Sequence, residues 1–334
     1  MRKLLILGSD YGTIQVVREA HKLGMYVIVA DLMLTSPTKE LADEAWLLSS
    51  TDTDTLVQKC KNENITALMF GASDFIVWNA RDISDKEIIV ERQLHGKEYN
   101  VHYALADGRA RLLYFSSTHH EPGEAENLYS FKCTTSCHLK QYIEEVNDSV
   151  IRAIEKAECR EGIVWFDCIR DDDGHFYMLE MGYRFGGVMT YVPYERVTGF
   201  NTVRWMLECA LGIKHTEQDL PPALDKVLTG CAASYNLFSQ HDGEIAQIEG
   251  LSEIEKIPGV FVDIPKREGN SVRLHACMGL LGIYGKDIEE VCDRLQMVNS
   301  LLRTTNTSGE NMFIYFDDYD SLRQEYYKGL EQFK

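Results

Sequence analysis

The sequence predicts a chain of α/β and α+β class, in which a parallel α/β unit comes first and antiparallel sheet follows. Aliphatic runs alternate with helix-periodic segments over roughly the first eighty residues. Further along, two pairs of strand-like segments are each joined through an Asp-Gly turn, and no internal repeat is visible. Hydrophobic residues make up 45% of the 334 residues and charged residues 26%, a balance that is typical of globular chains and excludes a disordered one.

The first unit consists of short buried strands separated by helices. Lys3–Leu7 is an aliphatic run that ends in glycine, and Met25–Ala30 is a second such run. Thr13–Leu23 between them has apolar residues at helical spacing, and the same reasoning predicts a helix at Thr53–Asn62 and a strand at Ile65–Phe70. Doubly wound units bind ligands at the carboxyl ends of their strands. The candidate substrate-binding residues at that edge are Ser9, Tyr11 and Asp74.

A dinucleotide site is an alternative for this edge. Its fingerprint, G-x-G-x-x-G, would begin at Gly8, and Asp31 stands where the ribose-binding acid would be. Asp10 occupies the place of a glycine, however, and its carboxylate would repel a pyrophosphate. A glycine turn beside a small-molecule crevice is therefore the favoured interpretation.

Antiparallel strands follow this unit. The predicted strands are Glu87–Glu91, Glu98–Ala106, Ala110–Ser116, Gly162–Arg170 and His175–Met181. The last four form two hairpins, because an Asp-Gly dipeptide at each connection favours a tight turn. Helices are predicted at Leu139–Glu158, Val203–Leu211 and Asp287–Leu302, and later strands at Ile245–Ile248, Val260–Ile264, Leu280–Tyr284 and Met312–Phe316.

Two acidic residues lie on opposite strands of the second hairpin. Asp167 is in an apolar strand, and Glu180 is in the partner strand thirteen residues later. Adjacent carboxylates repel each other unless a cation neutralises them, and Mg²⁺ does so while binding phosphate oxygens. Arg184 and a glycine pair follow directly. The hairpin thus predicts a metal and phosphate site, whereas solvated surface acids are the alternative.

Taken in order, these features resemble the ATP-grasp ligases. The motif V-E-x-x-L-x-G-x-E spans Val90–Glu98, and L-E-x-x-x-R-x-G-G spans Leu179–Gly187. The resemblance implies a Rossmann-like pre-ATP-grasp domain over residues 1–84, an antiparallel-sheet ATP-grasp domain over 85–220 and a biotin-carboxylase-like α+β lobe over 221–334. It also implies an enzyme that uses ATP and Mg²⁺ (or Mn²⁺) to activate a carboxylate as an acyl-phosphate, which an amine or similar nucleophile then attacks.

The resemblance also implies roles for individual residues. By position, the residues that bind the adenine and ribose of the nucleotide are Glu91, Arg92, Leu94, Glu98 and Ile169. Those that coordinate the metal are Asp167 and Glu180. Arg184 would be catalytic, because the matching arginine stabilises the transferring phosphoryl group or the acyl-phosphate. Gly186 and Gly187 join the candidate substrate contacts.

Two departures from the family pattern bear on this prediction. Gly182 stands where the family usually has a metal-binding asparagine, so that one ligand is absent or replaced by water. The stretch between Arg81 and Glu87 is short, whereas family members place there a lobe with two phosphate-binding lysines. Three explanations stay open: residues missing from this stretch, which we favour, a shortened chain, or a natural inactive relative that binds a nucleotide or a partner without turnover.

Charge and cysteine content restrict the partners and the compartment. The formal net charge of −18 disfavours nucleic acid, and no stretch approaches the ~18–20 apolar residues of a membrane span. The nine scattered cysteines favour a reduced, cytoplasmic chain. A zinc site at Cys133, Cys137 and His138 is less favoured than coincidence. We expect a small-molecule carboxylate substrate and leave a homodimer open.

Overall fold

The computed structural model describes residues 2–9, 11–50, 52–70, 94–120, 129–187, 189–224 and 230–334. The first unit is built from the strands β1 (Lys3–Leu7), β2 (Tyr26–Asp31), β3 (Glu44–Leu47) and β4 (Ala67–Phe70), with the helices α1 (Tyr11–Lys22), α2 (Pro37–Leu41) and α3 (Thr53–Glu63). The four strands are parallel, in the order β3-β2-β1-β4. The predicted parallel α/β unit is therefore confirmed, with β3 and α2 in addition.

Both faces of this sheet are buried, which explains its continuous aliphatic strands. Leu4 and Ile6 of β1 pack in one cluster with α1, while Leu5 packs in another with Trp46. Gly8 has a φ of 95°, a left-handed conformation that favours glycine, and turns the chain out of β1. The glycine turn at the strand end is thus present where the sequence predicts it.

A second, larger sheet contains most of the remaining strands. They are β5 (Gly96–Ala106), β6 (Arg109–His120), β7 (Tyr129–Thr134), β8 (Gly162–Asp171), β9 (Phe176–Gly182), β10 (Cys231–Ser239), β12 (Val260–Asp263), β14 (Cys277–Gly285) and β16 (Phe313–Ile314). Their order is β12-β14-β10-β7-β6-β5-β8-β9, with β16 paired to β10. A third sheet joins β13 (Ser271–Val272), β11 (Gly243–Glu249) and β15 (Arg303–Asn306).

The remaining helices follow the amino-terminal unit in the chain. They are α4 (Leu139–Tyr142), α5 (Asp148–Lys156), α6 (Tyr191–Thr198), α7 (Thr202–Ala210), α8 (Leu251–Ile254), α9 (Ile288–Leu301) and α10 (Tyr319–Glu331), with a 3₁₀ turn at Glu217–Asp219. The single helix predicted over Leu139–Glu158 is wrong in detail, because a π-helical turn at Ile143–Asn147 separates α4 from α5. Likewise, β6 runs four residues past the predicted end at Ser116, and the last predicted strand is reduced to β16.

Alternation along β5 divides the large sheet into two faces. Tyr99, Val101 and Tyr103 pack with α4 and α5, on what we call the rear face. Because successive side chains of a strand point to opposite sides, Glu98 and Asn100 lie on the opposite, front face. The front face is the one that carries the predicted acidic hairpin residues.

The large sheet continues across the predicted domain boundary at residue 220. The strands β10, β12, β14 and β16, which come from residues 221–334, belong to the same sheet as β5–β9. The division into three domains consequently stays a prediction. Within the described ranges, no helix combines the length and apolarity that a bilayer span requires.

Candidate active site

Asp167 and Glu180 lie directly opposite each other on β8 and β9. The antiparallel register pairs these two positions, which places both side chains on the front face. Leu179 forms a bulge, since Cys168 pairs with Met178 and the pairing then resumes at Asp167. The side chain of Asp167 is 37% exposed, and Glu180 is exposed. The hairpin thus presents two adjacent carboxylates to the solvent side of the sheet.

This pair fits a magnesium ion that shares its coordination with a nucleotide. Mg²⁺ is usually held by one or two carboxylates together with phosphate oxygens and water, rather than by a cage of protein ligands. In the part of the chain that the structure describes, no group of three or more metal-type side chains could hold an ion, at Cys133, Cys137 and His138 or elsewhere. The zinc alternative therefore has no support among these residues.

The structure explains the glycine at position 182. A Cβ atom built there would lie 2.1 Å from Cε2 of the Trp165 indole, whose ring already occupies that space. Trp165 is the register partner of Gly182 and lies two residues before Asp167, on the same face. An asparagine ligand is consequently excluded by the neighbouring ring.

Asp167 is held by side chains from two other strands of the sheet. Asn100, its register partner on β5, donates from Nδ2 to Oδ1 of Asp167 at 2.6 Å. The Nζ atom of Lys132, on β7, lies 3.7 Å from the same oxygen. The lysine side chain is only 7% exposed, so its charge acts through a poorly hydrated environment, where ion pairing is stronger than in water.

Lys132 is a candidate site residue that the motif analysis missed. It lies between Phe131 and Cys133, which are both buried in the core cluster behind the sheet. A lone lysine in such an alternating apolar strand is the signal that could have identified it. The strand order that brings it beside Asp167 is not visible in the sequence. Its ammonium supplies a cation suited to phosphate oxygens.

Arg184 packs against the same tryptophan. Its Cζ lies 5.0 Å from the centroid of the Trp165 ring, and Nη1 donates to the carbonyl oxygen of Phe185 at 2.7 Å. The side chain is buried. Trp165 lies on the front face two residues before Asp167, so this cation–π contact holds the guanidinium against a ring next to the acid pair in β8.

Glu98 and Ile169 form the next register pair along β5 and β8. They lie two residues from the Asn100–Asp167 pair, or ~7 Å along the strands. His120 donates a hydrogen bond from Nε2 to Oε2 of Glu98 at 3.1 Å. That bond lowers the pKa of Glu98, although burial opposes it. Glu98 and Ile169, which are predicted to contact ribose and adenine, are therefore neighbours. His120 is a further candidate site residue, which the motifs do not reveal.

Some predicted residues lie outside the described part of the chain or apart from this cluster. Glu91, Arg92 and Asp74 fall outside the described residues, and only the backbone of Tyr11 is described. Leu94 is half-buried just before β5. The two glycines at 186 and 187 follow β9, and a Cβ built at Gly186 would meet only the Tyr191 hydroxyl, 4.0 Å away.

Ser9 lines a separate cavity of about 760 Å³ at the carboxyl ends of β1 and β2. Lys266 and Arg267 contribute to its other wall. The Asp31 carboxylate accepts hydrogen bonds from the backbone nitrogens of Ser9 and Met33, at 3.1 and 2.7 Å. It therefore shapes the loop at this edge, which further weakens the dinucleotide alternative.

Comparison with known proteins identifies the architecture. No protein-family model matches the sequence, and no curated protein matches it. Solved structures do match. The L-amino acid ligase from Bacillus licheniformis aligns with a TM-score of 0.71 at 14% identity, over 92% of this chain and 99% of that one. Phosphoribosylglycinamide synthetase from Anaerococcus prevotii also aligns with a TM-score of 0.71 at 14% identity, over 92% and 100%.

A third match is the biotin carboxylase domain of the Hydrogenobacter thermophilus 2-oxoglutarate carboxylase. Its TM-score is 0.69 at 13% identity, over 93% of this chain and 91% of that one, and it was crystallised with MgADP, ADP and bicarbonate. The fold is the ATP-grasp fold. The resemblance stated from the motifs is thus confirmed at the level of the ATP-grasp architecture, since identities this low concern fold alone.

Proposed function

We propose that the protein is an ATP- and Mg²⁺-dependent ligase that activates a carboxylate substrate as an acyl-phosphate for attack by an amine or similar nucleophile. The observation that carries this proposal is the register pair of Asp167 and Glu180 on an ATP-grasp sheet. Lys132 lies near Asp167, and Arg184 packs on Trp165, two residues before Asp167 in β8. Two anionic ligands and two cations on one face suit a metal-bound polyphosphate.

The nucleotide would lie along the front face of β5 and β8. Glu91, Arg92 and Leu94 would contact the adenine edge, and Ile169 would cover its face. Glu98, oriented by His120, would accept hydrogen bonds from the ribose hydroxyls. The ~7 Å between the Glu98 and Asp167 register positions leaves the phosphates near the acid pair.

Asp167 and Glu180 would hold the cation, which when bound neutralises charge on the transferring phosphoryl group. Lys132 and Arg184 would stabilise the same negative charge from the protein side. Both cations are buried against neighbouring side chains, so they are preorganised and need little rearrangement at the moment of transfer. Arg184 is the residue we propose as catalytic.

The carboxylate substrate would approach from the amino-terminal unit. Ser9 lines the cavity at the strand ends, and Tyr11, Asp74, Gly186 and Gly187 are the other proposed contacts. The exposed backbone of Gly187, at the end of the second motif, leaves room for an acyl group near Arg184.

The first test is stabilisation by the nucleotide. At a concentration 100 times its dissociation constant, MgATP should stabilise the fold by about 2.7 kcal/mol and raise Tm by several degrees. Glu180→Gln should abolish the rise, because it removes a metal ligand. The matched control is Glu255→Gln, at an exposed glutamate far from the hairpin in sequence, which should keep the full rise.

Turnover is tested separately by ADP release with a panel of carboxylates and amines. Release that requires both a carboxylate and a nucleophile supports the ligase. Binding of MgATP without release by any pair would favour the inactive relative, and no response to MgATP in either assay would exclude both.

A further inference from the structure

A chain of buried side chains leads away from Asp167 along the front face. The hydroxyl of Tyr114 is 2.7 Å from Nδ1 of His102, whose Nε2 is 2.5 Å from Oδ1 of Asn100. Nδ2 of Asn100 then contacts Asp167. Tyr114, His102 and Asn100 are 1%, 3% and 4% exposed, so water has little access to compete for these bonds.

The charge of Asp167 fixes the direction of every bond in this chain. An ionised carboxylate only accepts, so Asn100 must turn its amide nitrogen toward Asp167 and its oxygen toward His102. His102 must then carry its proton on Nε2. Its Nδ1 is left as an acceptor, to which the Tyr114 hydroxyl donates.

The surroundings of His102 favour this neutral form of the ring. Burial lowers the pKa of His102 well below its ordinary value, and the charge of Lys132 acts in the same direction. The ring also stacks on Tyr114, with centroids 4.2 Å apart. A neutral imidazole with one donor and one acceptor satisfies both of its partners.

We propose that Tyr114, His102 and Asn100 act as positioning residues that preset the Asp167 carboxylate for a divalent cation, an inference that rests on the proposed function. With Oδ1 engaged by Asn100 and Lys132, the other oxygen of Asp167 would be left to bind the cation together with Glu180. The amide oxygen of Asn100 accepts from His102 and its nitrogen donates to Asp167, so the role we assign to Asn100 is to orient a ligand. This arrangement orients Asp167 on β8, while the neighbouring strand β9 has glycine at position 182 and offers no asparagine ligand there.

The test measures binding of Mn²⁺ in the presence of ADP by electron paramagnetic resonance. His102→Leu removes the donor to Asn100 without touching Asp167, and should weaken Mn²⁺ binding ~10-fold, the lower end of the range for groups that orient metal ligands. His102→Gln places an amide donor at similar reach and should restore most of the affinity.

The matched control is Tyr103→Phe, on the same strand but on the rear face. It removes a buried hydroxyl that bonds to Tyr142 at 2.7 Å, so it carries a comparable stability cost without contact to the chain. Its Mn²⁺ affinity should equal that of the wild type. Equal weakening in His102→Leu and Tyr103→Phe, or no rescue by His102→Gln, would overturn the inference.

A second measurement tests the inference even if His102→Leu does not fold. Nitrogen-15 spectra of the wild-type histidines should show His102 as a neutral ring protonated on Nε2 from pH 6 to 8. Protonation on Nδ1 would mean that Asn100 turns its oxygen toward Asp167, and would contradict the proposal. Failure of the wild type to bind Mn²⁺ with ADP would overturn the proposed function and this inference together, whereas unchanged binding in His102→Leu would overturn the inference alone.

Discussion

At the scale of single residues, position 182 is determined by its neighbour across the strands. The indole of Trp165 fills the volume that a side chain at 182 would need, and the same ring supports the guanidinium of Arg184. One tryptophan therefore removes a ligand position and orients a cation at the same site.

Gly182→Asn should destabilise the fold by about 1–3 kcal/mol, the usual cost of overpacking, because the new Cβ has no room beside the indole. Urea unfolding measures this cost. In a Trp165→Leu background the same substitution should cost less, since the smaller side chain leaves space. Equal costs in the two backgrounds would contradict the steric explanation.

Asp167 and Glu180 could be found from the sequence because a hairpin is a local structure that brings its two strands side by side. The turn alone would pair Asp167 with Leu179, and the bulge at Leu179, which places Glu180 opposite Asp167, could not be predicted. Lys132 and the Asn100–His102 pair could not, since they reach Asp167 only through the order of β7, β6, β5 and β8. That order depends on contacts between distant segments. The period-two pattern of β5 does mark Asn100 and His102 as a polar face, but it gives no partner for them.

At the scale of elements, the last helix binds the rear of the sheet through a buried polar cluster. Glu325 of α10 lies 2.9 Å from Nζ of Lys97 and 3.7 Å from Nε2 of His119. Gly329 permits a close approach, because a Cβ there would lie 2.5 Å from the backbone nitrogen of Cys137. Lys97 directly precedes Glu98, the proposed ribose contact, so α10 packs against and stabilises the strand that carries it.

The fold should lose stability in acid because His119 is buried in this cluster. Burial, followed by the charge of Lys97, lowers the pKa of His119 to about 4, whereas an unfolded histidine titrates near ~6.5. The folded state therefore binds fewer protons, and the stability it holds above ~6.5 is lost as the pH falls toward the folded pKa. His119→Gln cannot be protonated, and should lose less stability over this range, by on the order of 3 kcal/mol.

The measurement is urea unfolding from pH 7.5 down to pH 4. His175→Gln, at an exposed histidine, is the control and should follow the wild-type curve. A wild-type curve that runs parallel to His119→Gln would contradict the prediction.

Elements with strong local signals were predicted, and those that depend on neighbours were not. The strands β1 and β2 have unbroken aliphatic runs, and both hairpins have Asp-Gly turns. By contrast, β7 and β10 mix polar with apolar residues, and in β7 one of the polar residues is Lys132, whose role depends on the neighbouring strands. The amphipathic pattern at Leu139–Glu158 gave no sign of the π turn within it.

At the scale of the whole molecule, the amino-terminal sheet shares its core with the segment after β9. Leu4 and Ile6 pack in one buried cluster with Phe185, Tyr191 and Leu207. A polar contact lies beside it, where Nε2 of Gln15 is 3.3 Å from Oδ2 of Asp263. The amino-terminal unit is thus stabilised by residues nearly two hundred positions away.

Leu207→Ala should destabilise both α7 and the amino-terminal sheet, which share this core. The side chain is fully buried, so its removal should cost about 2–5 kcal/mol. Hydrogen exchange followed by mass spectrometry should show faster exchange in peptides from β1 as well as from α7. Leu301→Ala, at a leucine that is 40% exposed, should change neither peptide. Faster exchange in α7 alone would show that the amino-terminal unit is stable by itself.

The continuous pairing of β5 with β8 has a consequence for insertions and deletions. Residues 96–105 of β5 pair with β8 without a shift, whereas β6 and β9 each absorb one extra residue at Leu113 and Leu179. A one-residue insertion near the start of β5 would turn Glu98 and Asn100 to the rear face and the tyrosines to the front face, because side chains alternate with a period of two. Length changes in β5 should therefore be tolerated only in even numbers, whereas β6 and β9 already each accommodate an odd residue in a bulge.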